Sequence, residues 1–416
     1  MNSLSHRFRI RTTCRACGSS LVEPVLPLKP LPLLSPNVGT DDASAIEISV
    51  PADLHLCADC GLLQLMAVVD PAFQYNQFKY VTTISLGLPE HFRQSAAGIL
   101  SATGLASPGK LLEIGSNDGT LLRAFQERGW GVHGIDPARK AVDIAIERGI
   151  PATLGFFNPV AAAKLRDQLG PIDLAIANNT LANIDDLDAV AEGLDIVLAQ
   201  DGVFTFETSY GADVVRHMLF DTIYHEHLSY FMVKPLASYF ARHGMMLFDV
   251  QRISTKGGSI RGFVQRRGGS RPLRESVATM IAEEEASKLY AHAAYNRMAA
   301  GLETIRCDLN RILDRAGVNS KTVTGWGASV GCVSLINQLD LTQRLVCVFD
   351  DHPLLDVIEG PGYRIPVASR AEVDGLDPGI IVLLAWRYAE AIAAKLLDYR
   401  NRGGRFVLPL PKVAEL

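Results

Sequence analysis

Residues 110–136 read KLLEIGSNDGTLLRAFQERGWGVHGID. An apolar run ends at the acidic Glu113, turns at Gly115 into a polar loop, and passes Gly119 into a helical pattern. A second apolar run, GVHGID, ends at Asp136, about twenty residues after the first turn. A strand, a glycine turn and a helix in that order let a nucleotide-like ligand come close to the backbone. A carboxylate closing the next strand can bond both hydroxyls of a ribose. The stretch is therefore expected to open a doubly wound α/β sheet.

The alternation continues downstream. ARKAVDIAIERG, PIDLAIANN, DAVAEGLDIVLAQDG and VFTFE alternate between helical and strand patterns. That series predicts a parallel sheet with helices on both faces. MMLFDVQRIS (245–254) and GGSIRGFVQRRG (257–268) are expected to close it as antiparallel strands. The loop lacks the GxGxxG spacing that cradles a diphosphate. S-adenosylmethionine has no diphosphate, so the glycine turn followed by Asp136 favours that cofactor. A dehydrogenase-type dinucleotide site is the alternative reading. Gly115, Asn117, Asp118 and Asp136 are the candidate cofactor residues, with Asn178 at the end of the third strand.

Four of the seven cysteines form two CxxCG turns, Cys14-Arg-Ala-Cys17-Gly and Cys57-Ala-Asp-Cys60-Gly. A two-residue spacing lets both sulfurs of a turn face one tetrahedral metal, and the glycine permits the tight backbone. Structural zinc is the leading reading. Four sulfurs leave no open position for catalysis, and a redox CxxC pair is the remaining alternative. Cys307, Cys332 and Cys347 are expected as small buried hydrophobes. LPLKPLPLLSP (26–36) reads as an extended connector. Residues 1–80 are expected to form a zinc-binding module, 81–268 the cofactor domain, and 269–416 a helical connector with a second, Rossmann-like α/β domain. Gly325-Trp-Gly-Ala-Ser-Val-Gly331, with Asp350-Asp351 ending the following strand, could bind a nucleotide or pack a helix against the second sheet.

Residues 221–231, DTIYHEHLSYF, crowd two histidines, a glutamate and two tyrosines into eleven positions. A neutral imidazole titrates near physiological pH, and a flanking carboxylate can fix its tautomer. A general base is the leading reading. A metal pair through His225 and His227, or a packed aromatic loop, are the alternatives. A formal net charge of -5 over 416 residues, with no basic block, argues against nucleic acid as a partner. The apolar stretches are too short to span a bilayer and the first residues do not form a secretory signal, so a cytoplasmic protein is expected.

The order CxxCG, CxDCG, LEIGSNDGTLL, ANNxLA, YHEHxSYF, KGGSIRGFV, GxGA and DD resembles the sugar-nucleotide C-methyltransferases over nearly the whole chain. The resemblance implies a class I methyltransferase sheet between a zinc module and a C-terminal Rossmann-like domain. It implies S-adenosylmethionine and zinc as cofactors and a nucleotide-linked keto sugar as substrate, with the chain a monomer or small homo-oligomer. It also implies that His227 removes the proton beside the sugar ketone, supported by Tyr224 and Glu226. His225 is a second candidate, and Tyr80 resembles a tyrosine near the sugar. Four positions depart from the pattern. Asn183 stands where relatives carry histidine, the lysines of the C-terminal glycine loop and of the segment after Asp350-Asp351 are missing, and Arg387 follows the tryptophan where asparagine is usual.

Overall fold

The computed structural model describes residues 7–33, 43–76, 78–84, 87–317, 322–351 and 355–416. Its central sheet has seven strands: β1 (Lys110–Ile114), β2 (Gly131–Asp136), β3 (Ala152–Leu154), β4 (Ile172–Asn178), β5 (Leu198–Ser209), β6 (Met245–Ile253) and β7 (Ser259–Arg266). Their spatial order is β3-β2-β1-β4-β5-β7-β6. The first five strands are parallel, and β7 runs antiparallel to both of its neighbours. The two closing strands thus form a hairpin, of which β7 alone opposes the sheet direction. Strand order reverses between β1 and β4, and ligands of such sheets bind at the carboxyl ends beside that switch. Gly115, Asp136 and Asn178 all lie there.

The apolar residues of this sheet are buried because both faces are covered. Leu112, Leu174, Ala175, Ile176, Phe204 and Phe206 are fully buried. Helices over residues 88–103 and 120–126 pack Phe92, Ala96, Ile99, Leu121 and Phe125 on one face. Helices over 159–169, 187–197 and 233–242 contribute to the core on the other.

The N-terminal module is a four-stranded antiparallel sheet, of which residues 22–26, 54–57 and 63–65 supply three strands. Its fourth strand is Ser229–Tyr230, more than 160 residues downstream, paired as Ser229 with Gln64 and Tyr230 with Leu63. The proline-rich connector is extended where described, and Leu31–Pro32 pairs with Ser49–Val50. Residues 34–36 of that stretch lie outside the described residues.

Helices over Glu275–Ala286 and His292–Gly317 link to the C-terminal sheet. Tyr295, Met298, Leu302, Ile305, Leu309 and Leu313 recur at three- and four-residue intervals and are buried, which gives the long helix one apolar face. Glu284 is also buried. It accepts from the Tyr210 hydroxyl at 2.8 Å and from Val233 N at 2.6 Å, so its carboxylate caps the helix over 233–242. The C-terminal sheet holds the four expected strands, 323–326, 345–350, 380–383 and 405–408, in parallel. It also has a strand over Tyr363–Ser369, parallel to 345–350 and in a hairpin with 357–360. Pro366 interrupts the pattern of that strand, and it was not expected from sequence. Cys332 and Cys347 are buried, but Cys307 lies on the exposed side of the long helix.

Candidate active site

A cavity of about 1440 Å³ runs from the switch point of the central sheet to the C-terminal domain. Single-ligand pockets are ordinarily about 300–1,000 Å³, so two ligands can share this one. Gly115, Asp136 and Asn178 line one end. Gly115 has φ +71°, and a Cβ there would stand 2.2 Å from Thr180 Oγ1, so the turn requires glycine. Asp136 accepts from Asn117 N at 2.9 Å and from Ala138 N at 2.8 Å. Burial raises its pKa, and those two backbone donors oppose the rise. Asn178 is 7% exposed, and neither its amide nitrogen nor its amide oxygen has a partner among the described residues. Buried polar atoms are almost always hydrogen-bonded, so this amide is poised for a ligand. Glu113, also on the cavity, has one unpartnered carboxylate oxygen. Burial pushes its pKa well up, with the nearby charges of Asp136 and Asp118 adding to the shift.

Two expected cofactor residues are occupied elsewhere. Asp118 does not line the cavity. Its carboxylate accepts from Thr83 N at 3.0 Å, Thr83 Oγ1 at 2.8 Å and Thr120 N at 3.3 Å, and pairs with Arg148 at 3.3 Å. Asn117 lines the cavity, but its side chain accepts from Thr82 N at 2.8 Å and donates to Tyr80 O at 3.2 Å. Together they tether the 80–83 segment, and with it Tyr80, over the cofactor end. A loop residue in the motif can face the neighbouring segment instead of the ligand, and spacing alone does not distinguish the two.

Tyr80, Tyr224, Glu226 and His227 line the other part of the cavity. His227 Nδ1 lies 2.9 Å from Thr222 O, and Nε2 lies 3.1 Å from the Tyr224 hydroxyl. A carbonyl only accepts, so Nδ1 carries the proton and Nε2 presents its lone pair to the tyrosine. Burial, and then the charge of Lys256, push the His227 pKa down to about 4. Burial pushes the Tyr224 hydroxyl well above its ordinary range, with Glu226 contributing next. His225 does not line the cavity. It is buried on the other side of the segment, where burial holds it down to about 4. The segment 223–228 has no helix or strand, so side chains two positions apart need not share a face.

Sequence reasoning passed over several lining residues. Lys256 has φ +55° and follows Thr255, whose hydroxyl donates to Glu207 at 3.0 Å. Burial, first, lowers its pKa. Tyr75 and Asn183 both line the cavity, and the Asn183 side-chain oxygen has no partner among the described residues. Arg387 is explained by Asp221: its Nη1 pairs with that carboxylate at 2.6 Å, and Trp386 Nε1 donates to it at 3.0 Å. Ser334 Oγ donates to Ile223 O at 2.6 Å. A Cβ on Gly331 would stand 2.8 Å from Asp221 O, so the GWGASVG loop packs tightly on the 221–231 segment. Asp350 accepts from Ala328 N at 2.8 Å and shapes that loop.

The four N-terminal cysteines come together in the module. Their sulfurs lie within 4.8 Å of one another, with Cys14 and Cys60 at 3.6 Å and Cys17 and Cys57 at 3.5 Å. A tetrahedral zinc with bonds of about 2.3 Å sets its sulfurs about 3.8 Å apart, so the cluster fits that ion. All four are free thiols in the structure. Among the described residues no helix is long and apolar enough to cross a membrane.

Three family models match the chain in series: "Putative zinc binding domain" over 14–75, "Methyltransferase domain" over 90–248 and "C-methyltransferase C-terminal domain" over 254–411. The C-methyltransferase NovU of Streptomyces niveus is 30% identical over 402 residues, covering 96% of this chain and 95% of that one. Among solved structures, the plantazolicin methyltransferase BpumL in complex with SAH is 12% identical, covering 43% of this chain and 85% of that one, with a TM-score of 0.35. A SAM-dependent methyltransferase from Anabaena variabilis is 15% identical, covering 42% and 84%, with a TM-score of 0.35. With the relative aligned from end to end, the three models in order and the cysteine cluster assembled, the chain belongs to the C-methyltransferase family, with S-adenosylmethionine and zinc as its cofactors.

Proposed function

We propose that the chain methylates the carbon beside the ketone of a nucleotide-linked 4-keto deoxysugar, with His227 as the final acceptor of the proton. The observation that carries this reading is the Tyr224–His227 pair on the cavity that also holds Gly115 and Asp136. S-adenosylmethionine, when bound, supplies a methyl group that is already strongly electrophilic, so the protein's task is proton removal and orientation. Asp136 holds the ribose and Asn178 the adenine or methionine part. Cys14, Cys17, Cys57 and Cys60 hold the zinc.

The ketone makes the neighbouring C–H acidic. Tyr224 bridges that proton to Nε2 of His227, the Thr222 carbonyl supports the imidazolium through Nδ1, and the Glu226 carboxylate balances the charge of Lys256. The electron pair left on carbon is shared with the ketone oxygen, and Lys256 faces that charge across the cavity. Placed cations and donors of this kind stabilise developing oxyanions strongly in a water-poor site. Tyr80, held over the cofactor by Asn117, closes the space between the two ligands. Asn183 cannot move a proton, so in this chain that position recognises a substrate hydroxyl. The same feature supports a second reading, a different small metabolite methylated at carbon, oxygen or nitrogen. Incubation with methyl-labelled S-adenosylmethionine and a panel of nucleotide 4-keto sugars, read by mass spectrometry and NMR, tests the choice. A labelled methyl on the carbon beside the ketone is expected. Label on oxygen or nitrogen, or none on any sugar while another metabolite is labelled, contradicts the sugar reading.

A further inference from the structure

One buried side chain runs from the zinc knuckle to the segment that carries Tyr224 and His227. Arg15 lies between Cys14 and Cys17 in the first CxxC turn and is 3% exposed. Its Nη1 donates to Leu228 O at 2.7 Å, directly after His227, and its Nη2 donates to Leu65 O at 2.8 Å. Nη1 also reaches Gln64 Oε1 at 3.2 Å, and Nε reaches Asp185 Oδ1 at 3.3 Å. Leu228 is held on its other side too, because its N donates to Ala182 O at 2.8 Å, beside Asn183. Leu228 O accepts in addition from Leu65 N at 2.9 Å. The next two residues form the fourth strand of the zinc module's sheet.

We infer that Arg15 is a positioning residue through which the zinc module sets the place of Tyr224 and His227. The segment 223–228 has no helix or strand of its own to hold it. A planar guanidinium holds its four acceptors in a fixed arrangement, as the flexible ammonium of lysine does not. The knuckle fixes the backbone of Arg15, and Arg15 fixes the carbonyl next to the base. Zinc therefore acts on catalysis at a distance while leaving the cofactor end alone. The inference rests on the reading of His227 as the base only for its effect on turnover. Its effect on the segment stands independently.

The test compares Arg15→Met, Arg15→Lys and Gln64→Met with the wild type and with His227→Asn. Four quantities are measured: zinc per chain, S-adenosylhomocysteine affinity by calorimetry, hydrogen exchange of peptides covering 222–231 and 111–122, and methyl transfer to the keto sugar turned over by the wild type. The expected result for Arg15→Met is retained zinc, affinity within about twofold, and faster exchange confined to 222–231. Turnover should fall about 100-fold with little change in KM, the loss a displacement of about 1 Å produces. Arg15→Lys should restore part of both effects, and Gln64→Met should show a smaller loosening. Unchanged exchange in 222–231 in Arg15→Met overturns the inference. So does loosening that occurs only in variants that have also lost zinc, because the arginine then serves the knuckle alone. Normal turnover in His227→Asn would overturn the assignment of the base instead, while the exchange result would still decide the role of Arg15.

Discussion

Gly115, Asp136 and Asn178 close three neighbouring strands of one sheet, whereas Tyr224 and His227 sit on a segment held from three separate parts of the chain. The cofactor end is set by local backbone geometry, namely a positive-φ glycine and a carboxylate aligned by two amides. The end proposed to hold the base is set by convergence. Leu228 and Ser229 join the zinc module, Leu228 also joins the 181–183 turn, and Asp221 and Ile223 join the C-terminal domain. The difference teaches that the two ends should fail separately: perturbing a remote domain should disable proton removal before cofactor binding.

The largest effect expected is on the zinc module. Cys57→Ser should release the metal, because apparent zinc binding in small peptides is on the order of 10–16 kcal/mol and depends on every ligand. Elemental analysis should find no zinc, and the base end should lose activity while S-adenosylhomocysteine still binds. Full zinc occupancy in the variant would break the ligand assignment. Next in size, His227→Asn should lower turnover about 10²–10⁴-fold. Calorimetry should find its cofactor affinity unchanged, and equal losses of turnover and cofactor affinity would erase the distinction between the ends.

The cofactor end is tested by Asp136→Ala, which removes charge-assisted hydrogen bonds of about 1.5–3 kcal/mol each. Affinity for the methyl donor should weaken from about tenfold to several hundredfold, with turnover at saturating donor largely kept. An unchanged dissociation constant would contradict the ribose assignment. The pH profile gives a smaller shift. Since burial and Lys256 hold His227 down to about 4, the imidazole stays neutral and able to accept a proton well below the usual histidine range. An acid limb for turnover near pH 6.5, where an unperturbed histidine titrates, would contradict the buried geometry. Stability moves in the matching direction. The unfolded chain takes up protons first, so the contribution of buried His225 and His227 is complete above about 6.5 and is lost as pH falls toward 4. The smallest effect is expected for Asp118→Asn. It should change donor affinity less than about threefold, because Asp118 does not line the cavity and its carboxylate is taken up by Thr83, Thr120 and Arg148.

The central sheet and the cofactor turn were legible because their signals are local: apolar runs of strand length, a glycine at the turn, an acid one strand later. The paired CxxCG turns were legible for the same reason, although about forty residues separate them. The convergent features were not. Nothing in the CxxC motif says that Arg15 reaches Leu228, and nothing near Trp386 says that Arg387 reaches Asp221. His225 and His227 differ by two positions, yet only His227 reaches the cavity, because the segment turns without a regular period. Asp118 shares a motif with Gly115 but is turned toward Thr83. In each case the deciding partner is distant in sequence and close in space.

The central claim is that His227 at the convergent end accepts the proton from the carbon to be methylated. Its most direct measurement omits the methyl donor altogether. A nucleotide 4-keto sugar is incubated with enzyme and S-adenosylhomocysteine in heavy water, and NMR follows deuterium entering at the carbon beside the ketone. The account predicts exchange with the wild type and none above background with His227→Asn, at equal S-adenosylhomocysteine occupancy. Exchange at the wild-type rate in His227→Asn would contradict it and place the base elsewhere on the cavity.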